Sequence, residues 1–281
     1  MNDIQKHQIK DALKRWNEWI ITHNATETTA IAPPVANAIE NDNWSLLNDD
    51  QWLEVASKVG FYSGERKVGE TSVYLLLHVI FRDALNHRYM YCAGFAKGIG
   101  KTTAAIAFLK QNERTALVHC NENLTKNGLF ACIESALKVS FRGRVVRKTQ
   151  QLLHMLANNE GTLFIFDNCD RLPASTFDYL CELALEIQPY AGIVFMGQET
   201  IKQHFDCFNH PTNEAREKIA GIIGDHFATM RKPGPHDIAC ICNAYGIYDE
   251  HTIRFIQQSC GNSLHGINDY MYNALLDKKA A

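Results

Sequence analysis

The chain has 281 residues, of which 46% are apolar and 21% are charged, and its formal net charge is −3. This composition is typical of a globular protein, so it excludes disordered, collagen-like and disulfide-scaffold proteins, and the charge excludes a strongly basic polyanion binder. The longest apolar runs, within residues 162–166 and 192–196, are far shorter than the ~18 residues of a membrane-spanning helix, and the polar N-terminus does not resemble a signal peptide.

The first 62 residues show helical patterns only. Apolar residues at helix spacing predict a helix over 6–21, a Pro-Pro pair opens a second over 34–40, and a third covers 49–59. Three short helices indicate an N-terminal domain, residues 1–62, that is similar to a helix-turn-helix bundle. The middle helix would enter the major groove, but it has no Arg or Lys and contains Glu40, so contact with a protein is the alternative.

Strands alternate with helices from about residue 88. Short apolar runs predict strands over 89–93, 116–119, 162–167 and 192–196. Helical periodicity predicts helices between them, over 101–110, 127–139, 149–157 and 175–187. The strands are apolar without alternation, which is typical of a parallel sheet covered by helices on both faces. We therefore assign residues 63–232 to an α/β core.

Only helical patterns follow residue 198. They cover residues 201–208, 213–223, 237–244, 250–259 and 265–276, and the last three predict a small C-terminal helical domain, residues 233–281. Cys240 and Cys242 lie on opposite sides of a helix, which disfavours the alternative of a zinc site formed with His236. The nine cysteines include no CxxC pair, so we expect reduced, mostly buried thiols in a cytoplasmic protein that contacts no membrane.

The residues 95–102, FAKGIGKT, lie between a predicted strand and a predicted helix. They match the phosphate-binding pattern GxxxxGK[ST] except at its first glycine, where Phe95 stands and Gly94 lies one residue early. The residues that would surround the phosphates are Lys97, Gly98, Ile99, Gly100, Lys101, Thr102 and Thr103. The glycines let backbone amides turn toward the phosphates, Lys101 supplies positive charge, and the Thr102 hydroxyl would ligate Mg²⁺. The sequence therefore predicts ATP and Mg²⁺ as cofactors.

A second motif is the apolar strand 162–167, which ends in Asp167. In the context of a phosphate-binding loop, this carboxylate is predicted to hold the Mg²⁺ from the carboxyl edge of the sheet. The next residue is Asn168, whose amide can orient a water molecule but cannot accept its proton. The loss of a general base at this position typically lowers turnover about 10²–10⁴-fold.

The run from residue 89 to residue 271 resembles the AAA+ ATPases of DNA transposition: the B protein of transposing phages such as Mu, and its relatives TnsC and IstB. The resemblance rests on the order and spacing of GIGKTT (98–103), LVHCNENLTKNG (117–128), FIFDNCDRL (164–172), GIVFMGQE (192–199) and HDIACICNAYGI (236–247). The segment NDNWSLLNDDQW (41–52) is also similar to the N-terminal DNA-binding domain of some phage members.

This resemblance implies an AAA+ P-loop NTPase whose C-terminal helices form a lid. It implies that ATP drives assembly of further copies into a ring or helical filament on double-stranded DNA, which captures a target and activates a transposase. The loop containing Asn123, Thr125 and Lys126 would then face DNA. A second candidate for phosphate contact is the basic run in residues 138–159, which has no acidic residue and contains Arg142, Arg144, Arg147 and Lys148. Solvent exposure alone is the alternative for each group.

The departures from the family concern hydrolysis. The resemblance implies catalytic roles for Lys101, Asp167, the water-facing Asn168 and a strand-end sensor, Gln198, where Asn is usual. The stretch that matches the family's arginine finger, 218–227, has no arginine, so Arg216 is the candidate substitute; residues 264–265, which match the second sensor, have none either. These losses predict slow or absent hydrolysis. The alternatives are a nucleotide-holding pseudo-ATPase that scaffolds proteins, and an ordinary P-loop enzyme such as a kinase.

Overall fold

The computed structural model describes residues 31–48, 67–158, 161–205, 214–230 and 232–260, with the separate residues 6, 7, 9–11, 13, 14, 51, 52, 55, 264 and 267. They divide between two compact units, one of which contains residues 68–240 and Leu264. The other contains the remaining described residues, before 68 and after 240. The helices predicted over 6–21, 49–59 and 265–276 lie largely outside the described residues, and the domain limits after residues 62 and 232 stay predictions.

The larger unit is built on a parallel sheet of five strands. In chain order they are β1 (Met90–Phe95), β2 (Thr115–His119), β3 (Thr162–Asp167), β4 (Ala191–Gly197) and β5 (Phe227–Met230), and their spatial order is β2-β3-β4-β1-β5. The four predicted strands and their parallel pairing are confirmed. The prediction that only helices follow residue 198 is wrong, because the short strand β5 pairs with β1 and places Phe227 opposite Cys92.

The described part of the chain contains ten α-helices. They are α1 (Pro33–Glu40), α2 (Ser72–His87), α3 (Lys101–Gln111), α4 (Lys126–Leu137), α5 (Val145–Ala157), α6 (Ala174–Ile187), α7 (Ile201–His204), α8 (Glu214–Ile223), α9 (Pro235–Ala244) and α10 (Glu250–Cys260). None of these described helices is long and apolar enough to cross a membrane.

The core of the larger unit has one layer on each face of the sheet. Helices α2 and α3 pack on one face, and α4, α5, α6 and α8 pack on the other. Successive residues of β3 point to opposite faces, so Ile165 enters the first layer while Phe164 and Phe166 enter the second. Because both faces are covered, the four residues from 163 to 166 are all apolar, which is the pattern that the sequence displayed.

Helix α2 was not predicted. Its N-cap is Thr71, whose hydroxyl accepts a hydrogen bond from the Tyr74 amide at 3.2 Å. The helix approaches β4 so closely that a β-carbon on Gly192 would lie 2.1 Å from the Ala84 carbonyl oxygen. Glycine is therefore required at this crossing.

A buried carboxylate joins the start of α2 to the start of α9. Asp237 Oδ1 accepts a hydrogen bond from the Ser72 amide at 2.6 Å, and its Oδ2 accepts one from the Gly234 amide at 2.7 Å. Burial of Asp237 opposes its ionisation, but these amide donors outweigh that effect and lower the pKa of the carboxyl group. The ionised form is thus the one that holds the two helix ends.

The smaller unit has its own apolar cluster. Its buried members are Ile9, Leu13, Ile31, Ile39, Trp52 and Val55. The predicted short helix over 34–40 is confirmed as α1, which contributes Ile39 to this cluster. The Trp44 ring packs edge-on against Trp52, with 6.0 Å between centroids, so both indoles belong to the packing of this unit.

Candidate nucleotide-binding site

The loop between β1 and α3 has the geometry that a phosphate-binding turn requires. Gly98 and Gly100 adopt φ values of 76° and 97°, which side chains rarely tolerate. Lys101, the first residue of α3, is buried, and its ammonium donates to the carbonyl oxygens of Phe95 and Ala96 at 2.8 and 2.9 Å. Burial lowers the pKa of Lys101, and nearby carboxylates, Asp167 foremost, oppose that shift. A cation therefore lies inside the loop, as the motif predicts.

The departure at Phe95 does not disturb the loop. Phe95 is still part of β1, and its side chain is fully buried in the core layer under α2 and α3. Only its carbonyl group belongs to the loop. The preceding Gly94 serves packing instead, because a β-carbon there would lie 2.9 Å from the Phe227 ring and 3.0 Å from Ile201. The missing first glycine thus follows from how β1 packs.

Strand β3 brings Asp167 to the start of α3. The Thr102 hydroxyl donates to Asp167 Oδ2 at 2.7 Å. The carboxylate is fully buried, and its Oδ1 has no hydrogen-bond partner among the described residues. A hydroxyl and a carboxylate with an unsatisfied buried oxygen are the hard oxygen donors that Mg²⁺ prefers. The two residues predicted to bind metal are therefore together, and they fit the ion.

His119 is a member of this site that the sequence analysis quoted without assigning a role. Parallel pairing of β2 with β3 sets His119 opposite Asp167, and its Nδ1 lies 3.2 Å from Asp167 Oδ2. This hydrogen bond raises the pKa of the imidazole, against the lesser effect of its burial. The sequence shows that both strands end in polar residues, but which of these residues face each other depends on the pairing register.

Asn168 turns back toward the same carboxylate. It adopts a left-handed conformation, with φ 57°, which asparagine tolerates better than most residues. Its side-chain amide donates to Asp167 Oδ2 at 3.4 Å. The position after Asp167 therefore carries an amide donor, in a backbone conformation that β-branched side chains disfavour.

The strand-end residue Gln198 is held by a carboxylate that the sequence analysis did not single out. The Gln198 backbone amide donates to Asp170 Oδ2 at 3.3 Å. Asp170 packs so tightly on Gly197 that a β-carbon there would lie 2.5 Å from its Oδ1.

Of the other predicted loop residues, Lys97 and Thr103 are exposed. The Ile99 side chain is buried in the core, so only its backbone can contact a ligand.

Leu264 lies against the loop. Its backbone amide donates to the Gly98 carbonyl at 3.0 Å, and its side chain comes within 3.9 Å of the place of a β-carbon on Gly100. The resemblance placed the second sensor at residues 264–265. The described residue there is apolar and cannot supply the charge that this sensor usually carries.

Known structures share this architecture, although the sequence matches no protein-family model and no curated protein. The Cdc6p of Pyrobaculum aerophilum is similar with a TM-score of 0.53 at 14% identity, over 76% of this chain and 62% of that one. The Orc1 protein of Aeropyrum pernix, solved in complex with DNA, is similar with a TM-score of 0.53 at 12% identity, over 85% and 64%. The chain has the AAA+ P-loop NTPase fold. The predicted fold class is therefore confirmed. The chain spans less than two thirds of the length of either structure.

Arg216 does not face outward from this AAA+ core. Only 2% of its surface is exposed, and its Nε donates to Asp178 Oδ1 at 2.6 Å. Its other nitrogens donate to the carbonyl oxygens of His204 and Ala174, and the guanidinium lies over the Phe177 ring at 4.9 Å. The interpretation of Arg216 as a substitute arginine finger is wrong, because this interior guanidinium holds α8 on α6.

The loop predicted to face DNA begins at the same sheet edge, after β2. Thr125 caps α4, since its hydroxyl accepts a hydrogen bond from the Gly128 amide at 3.2 Å. The Lys126 ammonium lies 5.6 Å from the centre of the Tyr179 ring. Asn123 is exposed. Two of the three predicted contact residues therefore already make contacts within the chain.

The basic run divides into two parts. Arg142 and Arg144 are exposed in the turn that leads into α5, and Arg147 is exposed in the first turn of that helix. Lys148 instead forms an ion pair with Glu134 at 2.8 Å. No zinc cluster accompanies these residues: within the described ranges, no three His, Cys, Asp or Glu side chains are arranged to hold a metal ion. Seven of the described cysteines, those before residue 260, are free thiols, and five of these seven are buried.

Proposed function

We propose that this protein binds ATP with Mg²⁺ and in that state assembles on double-stranded DNA, as an adaptor that captures target DNA and activates a transposase. One observation carries the nucleotide part: Lys101, Thr102 and Asp167 converge at the carboxyl edge of the sheet, with 2.7 Å between the hydroxyl and the carboxylate. The AAA+ fold and the resemblance of the ordered motifs to transposition ATPases support the rest. In this proposal, residues 1–62 contact DNA or the partner and residues 233–281 form the lid.

The roles of the residues follow from their chemistry. Backbone amides turned by Gly98 and Gly100 donate to the phosphates, and the Lys101 ammonium exchanges its two carbonyl acceptors for phosphate oxygens. Thr102 and Asp167 would hold Mg²⁺, which when bound neutralises phosphate charge. His119 and Asn168 orient the Asp167 carboxylate through hydrogen bonds to Oδ2.

The nucleotide serves mainly as a switch in this proposal. Asn168 holds the position of the catalytic base but cannot accept a proton, and the absence of a base typically costs about 10²–10⁴ in rate. Arg216 is committed to the interior, and Leu264 supplies no charge beside the loop. Slow hydrolysis would leave the ATP-bound assembly on DNA long enough for a transposase to find it.

The test is DNA binding in three nucleotide states. Fluorescence anisotropy and electron microscopy of the full chain on duplex DNA should show assemblies with ATP, and bare DNA with ADP or without nucleotide. Lys101→Ala should abolish the ATP-dependent assembly, and Lys110→Ala, at an exposed position on the same helix α3, should leave it unchanged. Equal assembly in all three states would contradict the switch.

The remaining parts of the proposal have separate assays. A protein that binds ATP but leaves DNA bare in every state would favour the protein-scaffold alternative. Robust steady-state ATP turnover that Lys101→Ala abolishes would contradict slow hydrolysis. Stimulation of strand transfer by a transposase, dependent on ATP and DNA, tests the adaptor role.

A further inference from the structure

The turn between α4 and α5, together with the first turn of α5, presents three arginine side chains without counter-charges. Arg142, Arg144 and Arg147 are exposed, and none forms an ion pair within the part of the chain that the structure describes. Residues 138–159 contain no acidic residue that could neutralise them. The result is a compact positive surface on a chain whose net charge is negative.

The carboxylate of Glu134, which contacts this turn, is already used. Glu134 on α4 accepts a hydrogen bond from the Phe141 amide at 2.6 Å through Oε1, and from the Lys148 ammonium at 2.8 Å through Oε2. Burial opposes ionisation of Glu134, but Lys148 and the Phe141 amide outweigh it and lower the pKa of the carboxyl group. Lys148 and Glu134 thus neutralise each other, and the hydrogen bond from the Phe141 amide to Glu134 holds the turn against α4.

The backbone of the turn is tied down before any ligand binds. Gln151 accepts a hydrogen bond from the Arg142 amide at 3.3 Å and donates to the carbonyl oxygens of Arg142 and Arg147 at 2.8 and 3.1 Å. The Phe141 ring packs edge-on against the buried Phe130. Gly143, with φ 101°, lets the stem of Arg147 lie across it. Little ordering of the backbone would accompany binding, which favours affinity.

Folding gives no reason for three arginines here. They stand at the start of α5, where the helix dipole is positive and cations are disfavoured. The first turn of α5 has no acidic residue, and Arg144 at its N-cap makes no capping hydrogen bond. Guanidinium groups offer planar pairs of donors that match phosphate oxygens. An external polyanion would supply the missing negative charge.

We infer that Arg142, Arg144 and Arg147 form the main phosphate-contact surface for the backbone of double-stranded DNA. This inference rests on the proposed DNA binding and assigns it to this turn, and not to the loop where Lys126 lies over Tyr179 and Thr125 caps α4. Lys148, grouped with the arginines in the sequence, is a positioning residue. Because the contacts are to phosphates, binding is independent of base sequence.

The experiment measures the salt dependence of DNA affinity with ATP present. A fluorescent duplex of mixed sequence is titrated with the wild-type chain and with the R142Q/R144Q/R147Q variant between 50 and 200 mM salt. Removal of three phosphate contacts should reduce the slope of log K against log salt by about 2.7. Over this fourfold range, the wild type should therefore lose about 40-fold more affinity than the variant.

A matched control removes three exposed basic residues elsewhere. The variant R82Q/K110Q/K67Q changes the net charge equally and should keep the wild-type slope. Each single arginine variant should lower the slope by about one unit, which tests the inference even where the triple variant does not fold. Binding of a fluorescent ATP analogue, equal to that of the wild type, verifies the fold of each variant.

The outcomes separate this inference from the function on which it rests. A wild type that binds DNA, with a triple variant of unchanged slope, overturns the inference and leaves the proposed function standing. A control variant that loses as much slope as the arginine variant also overturns it, because net charge would then explain the effect. A wild type that never binds DNA overturns both.

Discussion

Replacing Gly192 by alanine should destabilise the larger unit strongly. The new β-carbon would lie 2.1 Å from the Ala84 carbonyl oxygen and 2.5 Å from the carbonyl carbon, whereas ordinary contact begins at 3.4 Å. Both neighbours are backbone atoms of α2, so the helix itself would have to move by about 1.3 Å, the difference between 3.4 and 2.1 Å. That helix carries Phe81 and Leu85 into the core, and overpacking typically costs 1–3 kcal/mol, so we expect about 3 kcal/mol.

The assay is thermal and urea unfolding of the nucleotide-free chain. A loss of about 3 kcal/mol corresponds to a fall in Tm of roughly 6–12 °C for a protein of this size. Gly221→Ala is the matched control, since nothing lies within 4 Å of a β-carbon there and α8 gains a better helix former, worth about 0.5–1 kcal/mol. Equal Tm values for Gly192→Ala and the wild type would refute the close approach of α2 to β4.

Three further substitutions test other contacts. Asp237→Asn should lower the free energy of unfolding by about 2 kcal/mol at pH 7, because it weakens two amide hydrogen bonds to a charged acceptor. The pKa of Asp237 is lowered in the folded chain, so this difference from the wild type should shrink as the pH falls below the ordinary value near 3.8. Urea midpoints that differ equally at pH 7 and pH 3 would contradict this expectation. Arg216→Met should lower the free energy of unfolding in urea by about 3 kcal/mol, because Asp178 loses its partner. Normal stability with lost ATP turnover would instead indicate a catalytic arginine. Asn168→Glu should raise ATP turnover by up to about 10²-fold in a steady-state assay, because it supplies a general base, whereas Asn168→Gln should leave turnover unchanged. Equal turnover in the two variants would show that the missing base does not limit hydrolysis.

The sequence predicted the parts of the fold whose signals are local. The strand that ends at Asp167 is buried on both faces, so it is a continuous run of large apolar residues that can be recognised in the sequence. Helix α2 could also have been predicted from local signals, because Thr71 is a favourable N-cap and apolar residues follow it at helical spacing. Strand β5 gave none, because its four residues are too short to show a period and are defined by pairing with β1.

The same distinction applies to the site. The Lys101 and Thr102 positions follow from one contiguous motif, and the structure brings Thr102 to Asp167 as predicted. The contact of His119 with Asp167 depends on the register between two strands that lie far apart in the chain. The interior role of Arg216 depends on Asp178 and Phe177 in another helix, which spacing within residues 213–223 does not reveal.

The spatial order of the strands has a consequence for synthesis on the ribosome. Among the described strands, β1, which leads into the loop before α3, pairs with β4 and β5, and both are translated after it. At typical elongation rates, the interval from residue 95 to residue 230 lasts on the order of ten seconds. Until residue 197 has been translated, β2 and β3 can already pair, while β1 has both edges open. The apolar strand β1 therefore stays unpaired on the nascent chain for longer than β2, and we expect it to be the segment that most needs a chaperone.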